Sequence, residues 1–259
     1  MSVTTHAGQA SAVSVVEAEK RPIALTILTI VTLIGLGIGL YMGLVYAGTD
    51  LQQGEIQRIF YIHMPSFFGA FVAFGATVVG GIAYLRTRNA KWDRLAVAGV
   101  EVGLALAIIN LVTGSVWARP IWNTWWNWDP RLTSEAIMIL TYAAYLMLRN
   151  GIENPEQRRR FASVYGILAF ATVLITLLIT RIRPDTIHPV VIGPVFTDAS
   201  MMNVQGDFEL AATPGVSAAL GVNMLVWGLL LPVTLLWYRL RLENRAEHVN
   251  ALKAQVLSE

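Results

Sequence analysis

The chain has 259 residues, of which 55% are hydrophobic and 14% charged, whereas a soluble domain carries about a quarter charged residues. Its formal charge is +2, and no basic stripe is interleaved with aromatics, which argues against a nucleic-acid partner. Cysteine is absent, and with it go disulfides, thiolate metal ligands and thiol–disulfide chemistry.

In chain order, residues 1–22 read as a polar tail, without the basic stretch, short apolar core and small-residue cleavage site of a secretory signal. Residues 23–240 hold six apolar blocks, at about 23–47, 65–85, 95–117, 132–149, 161–180 and 215–238. A membrane-spanning helix needs about 20 mostly apolar residues. Inside lipid the backbone must satisfy its own polar groups, so the expected fold is all-α and polytopic, with six transmembrane helices. Gly35, Gly37, Gly39 and Gly43 in the first block fit close approach of a neighbouring helix. Residues 241–259 read as a second tail.

Lys and Arg divide unevenly between the alternate connecting segments. One set, from Lys20 through Arg86–Arg94 and Arg149–Arg160 to Arg239–Lys253, carries fourteen, and the other carries five. The positive-inside rule therefore predicts both termini in the cytoplasm and the segments 48–64, 118–131 and 181–214 outside. No internal repeat and no glycine-rich phosphate cradle is evident.

Four histidines occur, and His6 and His248 fall in the tails. His63, in YIHMPSFF, and His188, in TIHPVV, fall at the outer face. Each alone reads first as an interfacial histidine. Together they are the one pair of imidazoles on that face, and imidazole suits haem iron. Between them in sequence, SVWARPIWNTWWNWDPRLTSE gathers Trp117, Trp122, Trp125, Trp126 and Trp128, five of the eight tryptophans. Two readings stand: an interfacial aromatic belt, or a flat platform for a planar ligand. Arg58, Arg119 and Arg131 are candidate partners for anionic groups on such a ligand, with ordinary snorkelling as the alternative. Asp129 is read either as a helix cap or as part of the site. Glu101 lies well inside the third block, where an ionisable residue is a functional candidate, and its role is left open.

TWWNWDPRLTSE, preceded by LVTGSVWARPIW, resembles the tryptophan-rich WWD signature of bacterial haem-handling proteins, in particular the six-helix CcmC family of cytochrome c maturation. LQQGEIQRIFYIHMP is similar to the segment that carries that family's first haem-ligating histidine. The resemblance implies haem b bound at the outer face of the bacterial inner membrane, with His63 and His188 as axial ligands and the tryptophan segment as its platform. Without cysteine, such haem is not attached covalently to this chain. The implied partners are the haem chaperone CcmE, the ABC transporter CcmA/CcmB and the small membrane protein CcmD. Asn123 stands where that signature usually has glycine, and Pro130 where it usually has alanine. The resulting expectation is a haem transfer protein that promotes loading of the chaperone, with no acid, base or nucleophile assigned. The rival is a cytochrome b-type electron-transfer subunit with two histidine ligands, which usually buries its histidines within its spans; here no predicted span contains one. Met64 is a further potential iron ligand beside His63.

Overall fold

In the computed structural model the described residues are 21–50, 53–183, 185–188 and 214–258. The leading tail with His6, and most of the segment 181–214, lie outside them. Apart from short connections the described residues are helical, and the helices make six rods. The first, α1 (Ile23–Tyr41), ends in a π-helical turn, Met42–Tyr46. A 3-10 turn at Glu55–Ile59 leads into α2 (Phe60–Thr87), followed by α3 (Ala90–Trp122), α4 (Pro130–Asn150) and α5 (Pro155–Ile182). The last rod is α6 (Pro214–Leu225), which passes through a π-helical segment, Val226–Leu230, into α7 (Leu231–Ser258).

Five of the six rods are long and apolar enough to cross a membrane. The sixth, α4, corresponds to the shortest predicted block, and Arg131, Glu135 and Arg149 dilute its apolar character. It lies against α3 and α5. Helix α3 has 33 residues, roughly 50 Å at 1.5 Å per residue, against a hydrocarbon layer of about 30 Å. Its ends therefore project beyond the lipid core, and the last of them carries tryptophan.

Local chemistry sets the helix boundaries. Asn89 caps α3 by accepting from the Lys91 amide at 3.0 Å, and Asn154 caps α5 by accepting from Glu156 and Gln157. Asp129 caps α4, with Pro130 at the first helical position, a place that suits proline because its missing N–H has no partner there anyway. Asn123 ends α3 at φ +53°. That left-handed conformation is open to glycine and, among other residues, mainly to Asn and Asp. Asn123 and Pro130 thus each suit the backbone position that they occupy.

Helices α2 to α5 make the main core. Phe74 of α2 stacks on Tyr142 of α4 at 3.7 Å, within a cluster that includes Phe67, Val100, Leu106, Met138 and Val173. Helix α1 stands at the edge, with Ile27, Ile30, Leu33 and Ile34 exposed, a pattern suited to lipid. Its attachments are polar and close-packed. Thr29 meets Tyr238 at 2.9 Å, Thr32 meets Thr234 at 2.8 Å, and Asn223 donates to the Gly39 carbonyl at 3.0 Å. A Cβ on Gly39 would come within 2.6 Å of Asn223, and one on Gly43 within 3.0 Å of Tyr61, while one on Gly37 would meet nothing within 4 Å. Three of the four glycines therefore meet neighbouring side chains, and Gly37 does not.

Away from the histidines, the far end of the bundle is tied by charge. Asp93 of α3, buried, accepts two bonds from Arg149 of α4 at 2.7 and 2.6 Å, with Arg159 of α5 3.6 Å away. Within the span, Glu101 joins Arg239 of α7, which also holds Glu243 at 2.7 Å.

Candidate functional site

The helix boundaries relocate several predicted loop residues. His63 belongs to the first turns of α2, inside a helix long and apolar enough to span, so the expectation that no span contains a histidine is corrected. The second span starts earlier than expected because the 3-10 turn at Glu55–Ile59 runs directly into it. Trp117, Arg119 and Trp122 ride on the last turns of α3, and Arg131 on the first turn of α4. The connection between these helices is thus shortened to residues 123–129.

His63 faces α3. Its Nδ1 lies 2.9 Å from the Asn110 carbonyl oxygen and 3.2 Å from the Thr113 hydroxyl. A carbonyl only accepts, so Nδ1 carries the proton and donates, leaving Nε2 with its lone pair. Asn110 is buried, and its side-chain amide donates to the His63 carbonyl at 2.5 Å. Gly114 provides the clearance, since a Cβ there would come within 2.8 Å of the ring. Trp117 meets the His63 ring edge-on at 5.8 Å and donates to Gln53 at 3.0 Å.

His188 is held by Asp129. Its Nδ1 lies 2.9 Å from Asp129 Oδ2, and that carboxylate also receives the Ile187 amide at 2.8 Å, the Thr186 hydroxyl at 3.0 Å and the Arg131 amide at 2.9 Å. Burial opposes ionisation of Asp129, but His188, Ile187 and Thr186 outweigh it and hold the carboxyl at about 2. Burial lowers the pKa of His188, against the pull of Asp129 and with the help of Arg131, so the neutral imidazole is favoured. Here too Nδ1 donates, which leaves the lone pair on Nε2. Trp122 meets this ring edge-on at 5.2 Å. Trp117 and Trp122, both on the last turns of α3, meet one imidazole each, so both rings lie at the same end of that helix.

The tryptophans divide. Trp117 and Trp122 back the two imidazoles, and Trp126 is half-buried against Trp128, with ring centroids 5.8 Å apart. Trp125 and Trp128 are 58% and 79% exposed. The arginines divide as well. Arg131 is turned into the bundle, bonded to the Thr176 carbonyl and placed over the Phe67 ring at 4.3 Å. Arg58 pairs with Glu55 at 2.8 Å. Arg119 is exposed and bonded to Asn123. Met64 packs with Phe60, Tyr61, Val216 and Ala219 in a second apolar cluster. Glu101 pairs with Arg239 within the span, away from the histidines.

Asn110, Thr113, Gly114 and Thr186 were not anticipated as part of this arrangement. Asn110 carried a legible signal, an amide within an apolar span. The partnership of Asp129 and His188, 59 residues apart, carried none.

The family described as Heme exporter protein C matches this chain over residues 8–181. Heme exporter protein C of Haemophilus influenzae is 34% identical over 144 residues, 56% of this chain and 57% of that protein. The Bradyrhizobium diazoefficiens protein of the same name is 36% identical over 137 residues, 53% of this chain and 52% of that protein. In both, the matching stretch spans little more than half of the relative's length. Heme exporter protein C of Rhodobacter capsulatus is 27% identical over 234 residues, 89% of this chain and 88% of that protein.

Proposed function

The chain belongs to the Heme exporter protein C (CcmC) family, and from that premise we propose that it holds haem b between His63 and His188 and passes it to the chaperone CcmE. Its haem-handling role in cytochrome c biogenesis follows from the family, and its helices make it a multi-pass membrane protein. One observation supports the site above all others: two imidazoles at one end of the bundle each commit Nδ1 to a buried acceptor, which leaves the Nε2 lone pair of each as its ligating position. Such an arrangement suits iron ligation, because an outer partner on the second nitrogen fixes both the tautomer and the ring orientation.

In this reading the haem is cargo. His63 and His188 supply the axial nitrogens, Trp117 and Trp122 steady the imidazoles from the side, and Trp125 and Trp128 offer exposed rings to the macrocycle or to the chaperone. Arg119, exposed and bonded to the neutral Asn123 side chain, is the propionate partner of choice, since Arg131 is committed within the bundle and Arg58 to the carboxylate of Glu55. The site lies on the periplasmic face of the inner membrane, with CcmA/CcmB and CcmD as the remaining partners. Electron transfer is the weaker reading, because both imidazoles sit at one end rather than deep between the helices.

The test is optical spectroscopy of the purified protein with haem. A six-coordinate low-spin spectrum, lost in both His63→Ala and His188→Ala, is expected. A wild-type spectrum that neither substitution alters would overturn the site.

A further inference from the structure

The two imidazoles have unlike partners. His188 donates to a carboxylate that is buried and held ionised by three other donors. His63 donates to a backbone carbonyl, its other hydrogen-bond neighbours are neutral, and the charged side chain near it, Arg131, is a cation that also acts on His188. The Thr113 hydroxyl lies 3.2 Å away but is engaged with the carbonyls of Ile109 and Asn110, at 2.7 and 3.0 Å. The Asn110 amide, 3.3 Å from Nδ1, is satisfied by the His63 carbonyl.

A hydrogen bond to an anion draws the Nδ1 proton further from the ring than a bond to a neutral carbonyl does. Electron density on Nε2 rises accordingly, and with it the strength of the bond that this nitrogen makes to iron. From this difference, and resting on the haem site proposed above, we propose that the axial ligands are unequal. Asp129 makes His188 the stronger ligand. Asn110 is a positioning residue that holds His63 in register on a neutral shelf, as the weaker one. His63 is therefore the ligand that yields when the cargo leaves. With haem bound, the bond from His63 Nε2 would be the first given up to an acceptor, and that from His188 Nε2 the last. No electron is transferred in this step, and Nδ1 of each imidazole keeps its proton.

The geometry also explains why Asn, rather than an acid, suits position 110. Its Nδ2 donates to the His63 carbonyl at 2.5 Å, a bond that a carboxylate oxygen could not make, so Asn110→Asp would set an anion against that carbonyl as well as beside Nδ1. Such a change would bring the two ligands closer in strength.

Ferrous five-coordinate haem in the single variants reads each bond directly, through the iron–imidazole stretching frequency in resonance Raman spectra. His63→Ala leaves the His188 bond and should show the higher frequency; His188→Ala leaves the His63 bond and should show the lower. Haem transfer to apomyoglobin should be roughly tenfold or more faster from His188→Ala than from His63→Ala, in line with the usual effect of outer partners on metal affinity. Adding Asp129→Asn to His63→Ala should lower its frequency towards that of the His63 bond, and adding Asn110→Asp to His188→Ala should raise it. Where the Asn110→Asp protein does not insert, the Asp129→Asn comparison decides alone. Equal frequencies and equal transfer rates, or a reversed order, would overturn the inequality while leaving two-histidine ligation intact. A wild-type protein that is not six-coordinate would instead remove the site itself.

Discussion

His188 Nδ1 lies 2.9 Å from the Oδ2 atom of Asp129, the aspartate that closes the tryptophan-rich segment and caps α4. One carboxylate thus starts a helix, gathers the 186–188 turn and orients an imidazole.

Replacing Asp129 should therefore act on the fold and the ligand together. Asp129→Ala leaves several donors without their acceptor, a loss of about 1–3 kcal/mol for each that stays buried, and thermal melting in detergent should fall clearly. Asp129→Asn should fold better yet weaken haem affinity by about 10–100-fold. Unchanged affinity in Asp129→Asn would show that the carboxylate is only a cap.

Acid should act in two stages. The His188 pKa is lowered, so loss of this ligand by protonation should have its midpoint below the ordinary histidine value of about 6.5. Asp129 is depressed to about 2, so its stabilisation is complete above the ordinary aspartate value near 3.9 and disappears as pH falls through about 2. A spectral titration with its ligand-loss midpoint above 6.5 would contradict the burial of His188.

The tryptophans should separate by variant. Trp125→Ala with Trp128→Ala removes exposed rings, and should weaken haem retention or chaperone docking while leaving the melting temperature nearly unchanged. Stacking on an aromatic ring gives a scale of about 1–3 kcal/mol per ring. Trp117→Ala and Trp122→Ala should instead alter the axial-ligand spectrum, because these rings back His63 and His188. Normal haem occupancy and normal chaperone binding in the first pair would reduce those rings to an interfacial belt.

Orientation is open to reporter fusions. Fusions after Asn89 and Asn154 should report cytoplasm, and fusions after Gln53 and Gly206 the outer side. A cytoplasmic signal after Gly206 would separate His188 from His63 across the membrane.

Glu101→Gln should leave the haem spectrum as it is. Its partner is Arg239 of α7, and neither side chain touches His63, His188 or their acceptors. A shifted haem spectrum would connect that pair to the site.

The chain's apolar blocks were sufficient by themselves to make this an all-α membrane protein, because lipid leaves a long apolar segment little alternative to helix. His63, the five tryptophans and Asp129 were legible as a candidate site from residue type and crowding. Tertiary structure decided how they divide. It ran the 3-10 turn at Glu55–Ile59 straight into α2, placing His63 on a helix, and it extended α3 as far as Trp122. It turned Arg131 towards Thr176, paired Glu101 with Arg239, and set His63 against Asn110 and His188 against Asp129. Periodicity and hydropathy describe neighbours along one helix, whereas each of these contacts joins residues at least 45 positions apart. Only the packing of one rod against another determines which acceptor each imidazole meets.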